Sequence, residues 1–458
     1  MCRNKFAKQT STKTVSVFLL FLVFVAFQGC AANDKIITFN ELPKDKDSLD
    51  IHEGILCNHA QKIKYKQQGK IVAEIELSEP VMVAQAEQKE NWGFFQFPSI
   101  NISDDNSLIV SWSMKGDTYK MYGKKAERRE PQMVSKDGGK TWNLKEKNYT
   151  IRNEINNPQL RDGSILTVVT PAVKDIRSYK DFPPTVGNNG NYSFYLMDNL
   201  PDELQGIYVR KTGKNNKTQT IHAQINDNKL LRYAIDSLMP IVWWGNIRYL
   251  SDNSLVAGVY PCYYLDTPGG VAHSGVSFYK SRDEGLTWDR LSRISFKQDG
   301  IAENREGTSF EEPAFEILAD STFICVMRSG SKSPMYQTFS SDRGTTWTDP
   351  QPITPNGVKP KLLRLKNGVL VLASGRPGVQ IRFNLDGTGR QWTEPIDMIA
   401  FMGPDGKPSF WGTCGYASII EADDNSFYIV YSDFNTKNNL GQLRKAIFCR
   451  KVTIKNRL

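Results

Sequence analysis

The chain has 458 residues, a formal net charge of +9 and an aromatic content of 11%. It contains 34 glycines and 22 prolines, and no long stretch repeats at helical spacing, so many short strands are favoured over a helical bundle. Lysine and arginine are scattered along the chain, which argues against a nucleic-acid partner but allows attraction to acidic glycans.

The N-terminus is typical of an export signal. Basic residues precede an apolar run over 15–27, which is too short to span a bilayer comfortably, and a Gln-Gly-Cys sequence follows that ends at Cys30. A small residue directly before a cysteine resembles a bacterial lipobox, so residues 1–29 are predicted to be a lipoprotein signal peptide and Cys30 the lipid-attachment residue. The alternative is ordinary cleavage near Ala31. In either case we expect an exported protein, and with the anchor a membrane lipoprotein of the periplasm or cell surface.

Five cysteines remain after the predicted signal peptide and Cys30: Cys57, Cys262, Cys325, Cys414 and Cys449. Since five is odd, at least one thiol is unpaired, and the spacing predicts no metal site. We expect neither a metal nor an organic cofactor.

One eight-residue pattern, S-x-D-x-G-x-T-W, occurs three times, at 135–142, 281–288 and 340–347. A degenerate copy, longer by one residue, runs from Asn384 to Trp392. The aspartate can accept hydrogen bonds from turn amides, the glycine can adopt a positive φ, and the tryptophan can pack on the neighbouring hairpin. We therefore interpret the pattern as a folding device and assign none of its residues to catalysis.

Strands are predicted between these repeats, mostly after polar turns. The predicted strands are 107–113, 164–170, 255–260, 323–327, 362–373 and 427–431. The recurrence of turn, strand and repeat predicts an all-β, six-bladed β-propeller over 91–458. Residues 30–90 lack the repeat and form a lead-in segment, either as a separate strand pair or as part of the last blade.

The repeats resemble the Asp boxes, or BNR repeats, of the sialidases and their wider family of six-bladed propeller proteins. The resemblance covers roughly residues 90–435. Members of that family hold a sugar carboxylate with three arginines, protonate the leaving group with an aspartate, and attack with a tyrosine that a glutamate activates. The resemblance implies an exo-acting glycoside hydrolase that removes a terminal, acidic sugar from a glycan with retention of configuration.

The nucleophile and its base are predicted from two segments. Residues 415–420 resemble the family segment with the nucleophilic tyrosine, which would be Tyr416; a phenol with a pKa near 10 needs a base close by. Glu312, in a Glu-Glu-Pro sequence, resembles the family's base, and Arg328, sixteen residues on, a clamp arginine. Glu311 competes with Glu312, because adjacent side chains point to opposite faces of a strand.

Arg376 lies where the family places its third arginine, and Arg382 is the alternative. A guanidinium suits this role because its planar fork binds a carboxylate through two hydrogen bonds. Asp117, in a loop before the first Asp box, lies where the family acid is expected. The resemblance thus predicts Asp117, Glu312 and Tyr416 as catalytic residues.

One position departs from the family. Where sialidases carry an aromatic-Arg-Ile-Pro sequence, this chain has Phe95-Gln96-Phe97-Pro98, so Gln96 replaces a clamp arginine. A charge-assisted hydrogen bond contributes about 1.5–3 kcal/mol, so the change would weaken carboxylate binding. Gln96 suits a hydroxyl or an N-acyl group instead, and the identity of the sugar stays open.

Weaker signals leave alternatives. Trp244 and Arg248 are predicted to form a sugar-binding wall, although a blade core explains that segment nearly as well. His273 would supply the base if the protein were a polysaccharide lyase. A third possibility is a propeller that binds glycans without catalysis. The expected partners are a glycan substrate and, through the anchor, a membrane; we expect a monomer that binds no nucleic acid.

Overall fold

The computed structural model describes most of the chain beyond the predicted signal segment. The described residues are 54–67, 70–117, 131–153, 157–169, 174–189, 192–215, 217–235, 237–238, 246–266, 270–272, 274–303, 307–401, 403 and 409–456. Cys30, Trp244 and His273 lie outside these ranges, so the predictions made for them stay predictions.

Strands make up nearly all the regular structure of the described residues. In chain order they are β1 (Ile55–Leu56), β2 (Gln61–Gln67), β3 (Lys70–Leu77), β4 (Val81–Gln85), β5 (Phe94–Ser103), β6 (Leu108–Met114), β7 (Gln132–Ser135), β8 (Asn143–Leu144), β9 (Ile151–Asn153), β10 (Ile165–Val169), β11 (Lys174–Asp175), β12 (Gly187–Asn189), β13 (Tyr192–Leu196), β14 (Ile207–Thr212), β15 (Thr218–Asn226), β16 (Leu231–Ile235), β17 (Ser237–Leu238), β18 (Ile247–Tyr249), β19 (Leu255–Cys262), β20 (Gly275–Ser281), β21 (Thr287–Ile294), β22 (Glu311–Ile317), β23 (Phe323–Arg328), β24 (Met335–Ser340), β25 (Gln351–Thr354), β26 (Val358–Arg364), β27 (Leu370–Gly375), β28 (Val379–Asn384), β29 (Ile396–Asp397), β30 (Ala417–Asp423), β31 (Ser426–Lys437) and β32 (Leu443–Asn456). Short 3₁₀ helices occur at Ile176–Ser178, Met197–Asn199 and Asp202–Leu204. Within the same ranges, no helix has the length and apolar character needed to cross a membrane.

The described strands form six sheets. Their strand orders are β8-β7-β6-β5-β9, β10-β14-β15-β21-β20-β19-β18, β11-β17-β16-β13-β12, β22-β23-β24-β25, β1-β29-β28-β27-β26 and β2-β3-β32-β31-β30. One strand of a sheet contacts the corresponding strand of the next sheet: β22 contacts β26, β26 contacts β30, and β30 contacts β5 near the start of the chain. We call β5, β22, β26 and β30 the leading strands. This return from the last sheet to the first is the arrangement of a β-propeller, so the predicted all-β propeller class is confirmed. The number of blades stays a prediction.

Strands β2, β3 and β4 belong to the same sheet as the C-terminal strand. Strand β3 runs antiparallel to β32, with Ala73 opposite Asn456 and Leu77 opposite Val452, and β2 extends the sheet beyond β3. Strand β4 also pairs with β32. In the described part of the lead-in segment, β2, β3 and β4 therefore extend the last sheet, while β1 pairs with β29 of another sheet.

Most predicted strands agree with the structure to within a few residues, but the strand predicted over 362–373 is wrong. Two strands occupy that stretch, β26 and β27, separated by a turn in which the N–H of Gly368 donates to the carbonyl of Leu365 at 3.0 Å. Gly368 has φ +90°, which glycine tolerates and most residues do not. The apolar residues on both sides of the turn conceal this break.

The Asp boxes form the expected turns. In the box over 281–288, Asp283 Oδ1 accepts from the hydroxyl of Ser281 at 2.8 Å and from the N–H of Thr287 at 2.9 Å, and Oδ2 accepts from the Thr287 hydroxyl at 2.6 Å. Gly285 has φ +89°, and the Trp288 side chain is fully buried. In the degenerate box, the side chain of Asn384 takes the place of serine and accepts from the N–H of Gly389 at 2.8 Å.

The five cysteines of the described part are buried and unpaired. Burial raises the pKa of the Cys57 thiol to about 12, so this group is protonated at neutral pH. Nor do the described histidine, cysteine, aspartate and glutamate residues form a group that could hold a metal ion.

Candidate active site

Three leading strands carry the same β-bulge. In β5, β22 and β26 the bulge contains a residue with positive φ followed by proline: Phe97 (φ 52°), Glu312 (φ 51°) and Lys359 (φ 49°). In each bulge, an advance of three residues along the leading strand lies opposite an advance of two residues on the partner strand. In β22, for example, Glu311 pairs with Arg328 and Ala314 pairs with Val326. A bulge redirects a side chain away from the regular alternation of a strand. The three sheets therefore present one residue each in the same local geometry.

The three bulge residues meet at Tyr416. The phenolic hydroxyl donates a short hydrogen bond to Glu312 Oε1. The Phe97 ring lies edge-on to the tyrosine ring, with 5.1 Å between centroids, and Lys359 Nζ lies 5.6 Å from the tyrosine ring centroid. Tyr416 is thus surrounded by an aromatic ring, a carboxylate and an amine from three different sheets.

A turn at Gly415 positions Tyr416. Gly415 has φ +75° and donates its N–H to the hydroxyl of Thr413 at 3.2 Å. Cys414, fully buried, lies with its Sγ 3.1 Å from the hydroxyl of Ser432, which ties the turn to β31. The tyrosine therefore stands on a turn held by buried contacts and directly precedes β30.

Glu312, not Glu311, contacts the tyrosine. The Glu312 side chain is 1% exposed; its Oε2 accepts the N–H of Lys359 at 2.6 Å, and its Oε1 lies 3.3 Å from Arg328 Nη1. Glu311 accepts from Ser309 at 2.7 Å and lies 3.9 Å from Arg328 Nε. The alternation of a regular strand predicts that the two carboxylates point to opposite faces. The bulge interrupts this alternation, so both carboxylates approach Arg328, but only Glu312 contacts Tyr416.

The charges around the pair separate the two pKa values. Burial alone would raise the pKa of the Glu312 carboxyl, but Arg328 and Lys359 outweigh burial and lower this pKa below its ordinary value. Burial, together with the negative charge of Glu312, raises the pKa of the Tyr416 phenol well above its ordinary value. The resting site therefore pairs a charged carboxylate with a protonated phenol, the starting state for proton transfer from tyrosine to glutamate.

Arg328 and Arg376 converge on one serine. Arg328 Nη2 and Arg376 Nη1 each donate to the hydroxyl of Ser331 at 3.0 Å. Arg376 also lies over the ring of Trp411, with 4.6 Å from Cζ to the ring centroid, and no described carboxylate forms an ion pair with it. Its alternative, Arg382, is buried in β28, where its charged neighbours are Asp397 and Glu394 and none of the residues around Tyr416.

Asp117 lies at the rim of the same region. Its Oδ2 accepts from Trp92 Nε1 at 3.0 Å, and the Trp92 ring lies edge-on to Trp411 with 5.5 Å between centroids. Because Trp411 also stacks on Arg376, two aromatic rings connect the exposed carboxylate with the buried cation.

Two other predicted binding residues, Gln96 and Arg248, have surroundings that differ from the prediction. Gln96 is fully buried, and neither atom of its amide has a hydrogen-bond partner among the described residues. Arg248 forms a two-bond ion pair with Glu316, at 3.2 Å and 3.0 Å. This pairing gives Arg248 a structural role between neighbouring sheets.

Lys359 was not among the predicted site residues. The signal that identifies it is the proline that follows it, because Phe97, Glu312 and Lys359 each precede a proline at the start of a leading strand. Residues that precede a proline are common in loops, so this repetition becomes visible only when the three strands are aligned by their bulges.

The fold and these turns define an Asp-box β-propeller. Residues 249–429 match the model of the BNR repeat-like domain, which confirms the predicted resemblance to the sialidase-like BNR-repeat family. A search of curated proteins found no match.

Solved structures share the architecture over most of the chain. A protein of unknown function from Dyadobacter fermentans is 18% identical, with 82% of this chain and 99% of that chain covered and a TM-score of 0.54. A Hadza microbial sialidase is 15% identical, with 83% and 70% covered and a TM-score of 0.46. The α-L-arabinanase of Penicillium chrysogenum, in complex with arabinobiose, is 13% identical, with 83% and 98% covered and a TM-score of 0.47.

Proposed function

We propose that this protein is an exo-acting glycoside hydrolase that removes a terminal, acidic sugar through a covalent intermediate on Tyr416. The observation that carries the proposal is the hydrogen bond from the Tyr416 hydroxyl to the buried carboxylate of Glu312. A phenol bonded to a base with a lowered pKa is the arrangement that a tyrosine nucleophile requires. The resemblance to the sialidase-like family supports the same assignment.

In the first step the Tyr416 oxygen attacks the anomeric carbon as its proton passes to Glu312. The glycosidic bond breaks, and Asp117 gives its proton to the departing oxygen. In the second step Asp117 takes a proton from water, the water oxygen attacks the anomeric carbon, and the bond to Tyr416 breaks as Glu312 returns the proton to the phenol. Two inversions give overall retention.

Arg328 and Arg376 orient the substrate in this proposal. Arg376 is a buried cation without an ion-pair partner among the described residues, so an anionic group of the substrate would compensate its charge. Arg328 is already paired with Glu312, and it holds this base in its charged form.

We also propose that the protein acts outside the cytoplasm, tethered through Cys30. The proposal depends on the basic segment, the apolar run and the Gly-Cys pair at the N-terminus. Labelling of cells with a radioactive fatty acid tests it: wild type should carry the label, and Cys30→Ala should not.

A screen against terminal glycosides tests the activity. The purified protein from Ala31 onward is incubated with sialosides, uronides and neutral glycosides, while free sugar and ultraviolet absorbance are recorded together. Release of a saturated sugar, abolished in Tyr416→Phe while binding is retained, is the expected result. A product that absorbs in the ultraviolet would instead indicate a lyase, and binding without any product would indicate a glycan-binding propeller.

A further inference from the structure

Lys359 occupies a position equivalent to that of the proposed base. Glu312 and Lys359 each lie in a bulge before proline, on the leading strands of adjacent sheets, with φ values of 51° and 49°. Both approach Tyr416, Glu312 through its carboxylate and Lys359 through its amine. Because the two bulges have the same geometry, the Lys359 side chain points toward the same region around Tyr416 as the base does.

Lys359 is buried close to other basic groups. It is 8% exposed, Arg328 and the buried Lys361 lie near it, and Glu312, which already pairs with Arg328, opposes them. Burial, followed by Lys361 and Arg328, lowers the pKa of the Lys359 amine well below its ordinary value. Coulombic attraction from these basic groups would favour an anion bound near the Lys359 amine.

Gln96, in contrast, is enclosed. Its side chain has no exposed surface, so its amide offers no contact to a ligand in this conformation. It belongs to the same bulged segment as Phe97, whose ring contacts Tyr416. A cation lost at position 96 would therefore have to be supplied by another strand, and Lys359 of β26 reaches Tyr416 from a different sheet.

We propose that Lys359 is a substrate-binding residue, which contacts the carboxylate of an acidic terminal sugar in place of the clamp arginine that Gln96 replaces. This inference rests on the proposed function of the site. Lysine binds an anion as a point charge, whereas arginine binds it with a planar fork. The site is therefore a mixed clamp, in which Arg376 and Lys359 bind the anionic group beside Arg328, which also holds the catalytic base.

Calorimetry on the Tyr416→Phe variant tests the assignment, since this background removes the titration of the phenol. The probes are N-acetylneuraminic acid, glucuronic acid and galacturonic acid, each compared with its own methyl ester. At least one acid should bind better than its ester, and Lys359→Met should lower the affinity for that acid about 10- to 100-fold while leaving the ester nearly unchanged. Lys359→Arg should keep part of the preference, and Lys366→Met, an exposed lysine paired with Asp424, should keep all of it.

Proton uptake provides a second readout that a purely structural lysine would not change. Burial lowers the pKa of the Lys359 amine and a bound anion would raise it, so binding of the acid should be accompanied by proton uptake. Calorimetry in two buffers of different ionisation enthalpy, repeated at several pH values well above 4.5, should detect this uptake, and it should disappear in Lys359→Met. Glu312 does not contribute there because its pKa is lowered, and Arg328 stays charged.

The inference is overturned if no acid binds better than its ester, or if Lys359→Met weakens acid and ester equally. Hydrolysis by the wild type with an unchanged preference in Lys359→Met would remove this inference alone. Acid binding that depends on Lys359, without hydrolysis of any glycoside of that acid, would remove the proposed activity alone.

Discussion

The backbone of Gly375 lies so close to that of Gly415 that a Cβ on Gly375 would overlap the carbonyl oxygen and Cα of Gly415. Arg376 and Tyr416 directly follow these glycines, and a Cβ on Gly415 would lie 3.1 Å from Arg376 Cγ. The end of β27 and the turn before β30 thus place a cation beside a phenol because neither glycine has a side chain.

We expect Gly375→Ala to lower the free energy of unfolding by roughly 1–3 kcal/mol, the usual cost of overpacking, since the atoms in the way belong to the backbone. Gly213→Ala is a suitable control, because its new Cβ would lie 3.3 Å from the end of the Asn215 side chain and at an ordinary van der Waals distance, 3.8 Å, from the carbonyl oxygen of Lys217. Denaturant unfolding of the two variants measures the difference. Equal stability of the two would contradict the close approach.

The two adjacent glutamates form a matched pair for the proposed base. Glu312→Gln should lower kcat/KM about 10²- to 10⁴-fold, because the Tyr416 phenol loses its proton acceptor. Glu311→Gln should change the rate much less, since Glu311 accepts from Ser309 and does not reach the phenol. The hydrolysis rates of both variants on the substrate found in the screen decide this, and equal losses would exclude Glu312 as the specific base.

The lowered pKa of Glu312 predicts the acid side of the pH profile. A base acts only when deprotonated, so kcat/KM should decline on the acid side with an apparent pKa below 4.5, the ordinary value of glutamate. Lys359→Met removes one of the charges that lower this pKa, and the decline should then move to higher pH. An unmoved or more acidic decline in the variant would contradict the assigned charges.

The proposed acid is tested by the leaving group. Asp117→Asn should lower hydrolysis of a sugar–sugar linkage about 10²- to 10⁴-fold, because an alkoxide leaves poorly without a proton. The phenolate of an aryl glycoside that has an acidic phenol departs without protonation, so cleavage of that glycoside should be affected far less. Comparable losses on the two substrates would assign Asp117 a role other than protonation.

The Asp boxes should affect stability rather than catalysis. Asp283→Ala should cost about 1–3 kcal/mol, because it leaves the amide and hydroxyl of Thr287 without their acceptor. Asp386→Ala should cost less, since among the described residues this exposed carboxylate accepts only from Thr388. Thermal and denaturant unfolding measure both, with kcat per folded molecule expected to stay constant.

The stabilisation that the Asp283 carboxylate provides should vary with pH. Burial would raise the pKa of Asp283, but its hydrogen bonds to Thr287 and Ser281 lower it below 3.8. The stabilisation is therefore complete above 3.8 and is lost as the pH falls through the lowered value. The difference between wild type and Asp283→Ala should shrink over that interval, and a constant difference would contradict it.

The sequence by itself determined the local elements of this protein. Each Asp box closes its hydrogen bonds within eight residues, so the turns, the strands around them and the all-β class follow from short-range chemistry. The pairing of Tyr416 with Glu312 and the place of Arg376 were predicted through resemblance to a family, not from spacing.

Only the tertiary structure decided how distant segments meet. Glu312 accepts from Tyr416 across 104 residues and from Lys359 across 47, and no local pattern encodes such separations. The bulge before proline selected Glu312 over Glu311 and added Lys359, while packing enclosed Gln96 and paired Arg248 with Glu316. The physical reason is that local turns need neighbours in sequence, whereas the site depends on bulges and glycines whose effect appears only when the sheets close into a ring.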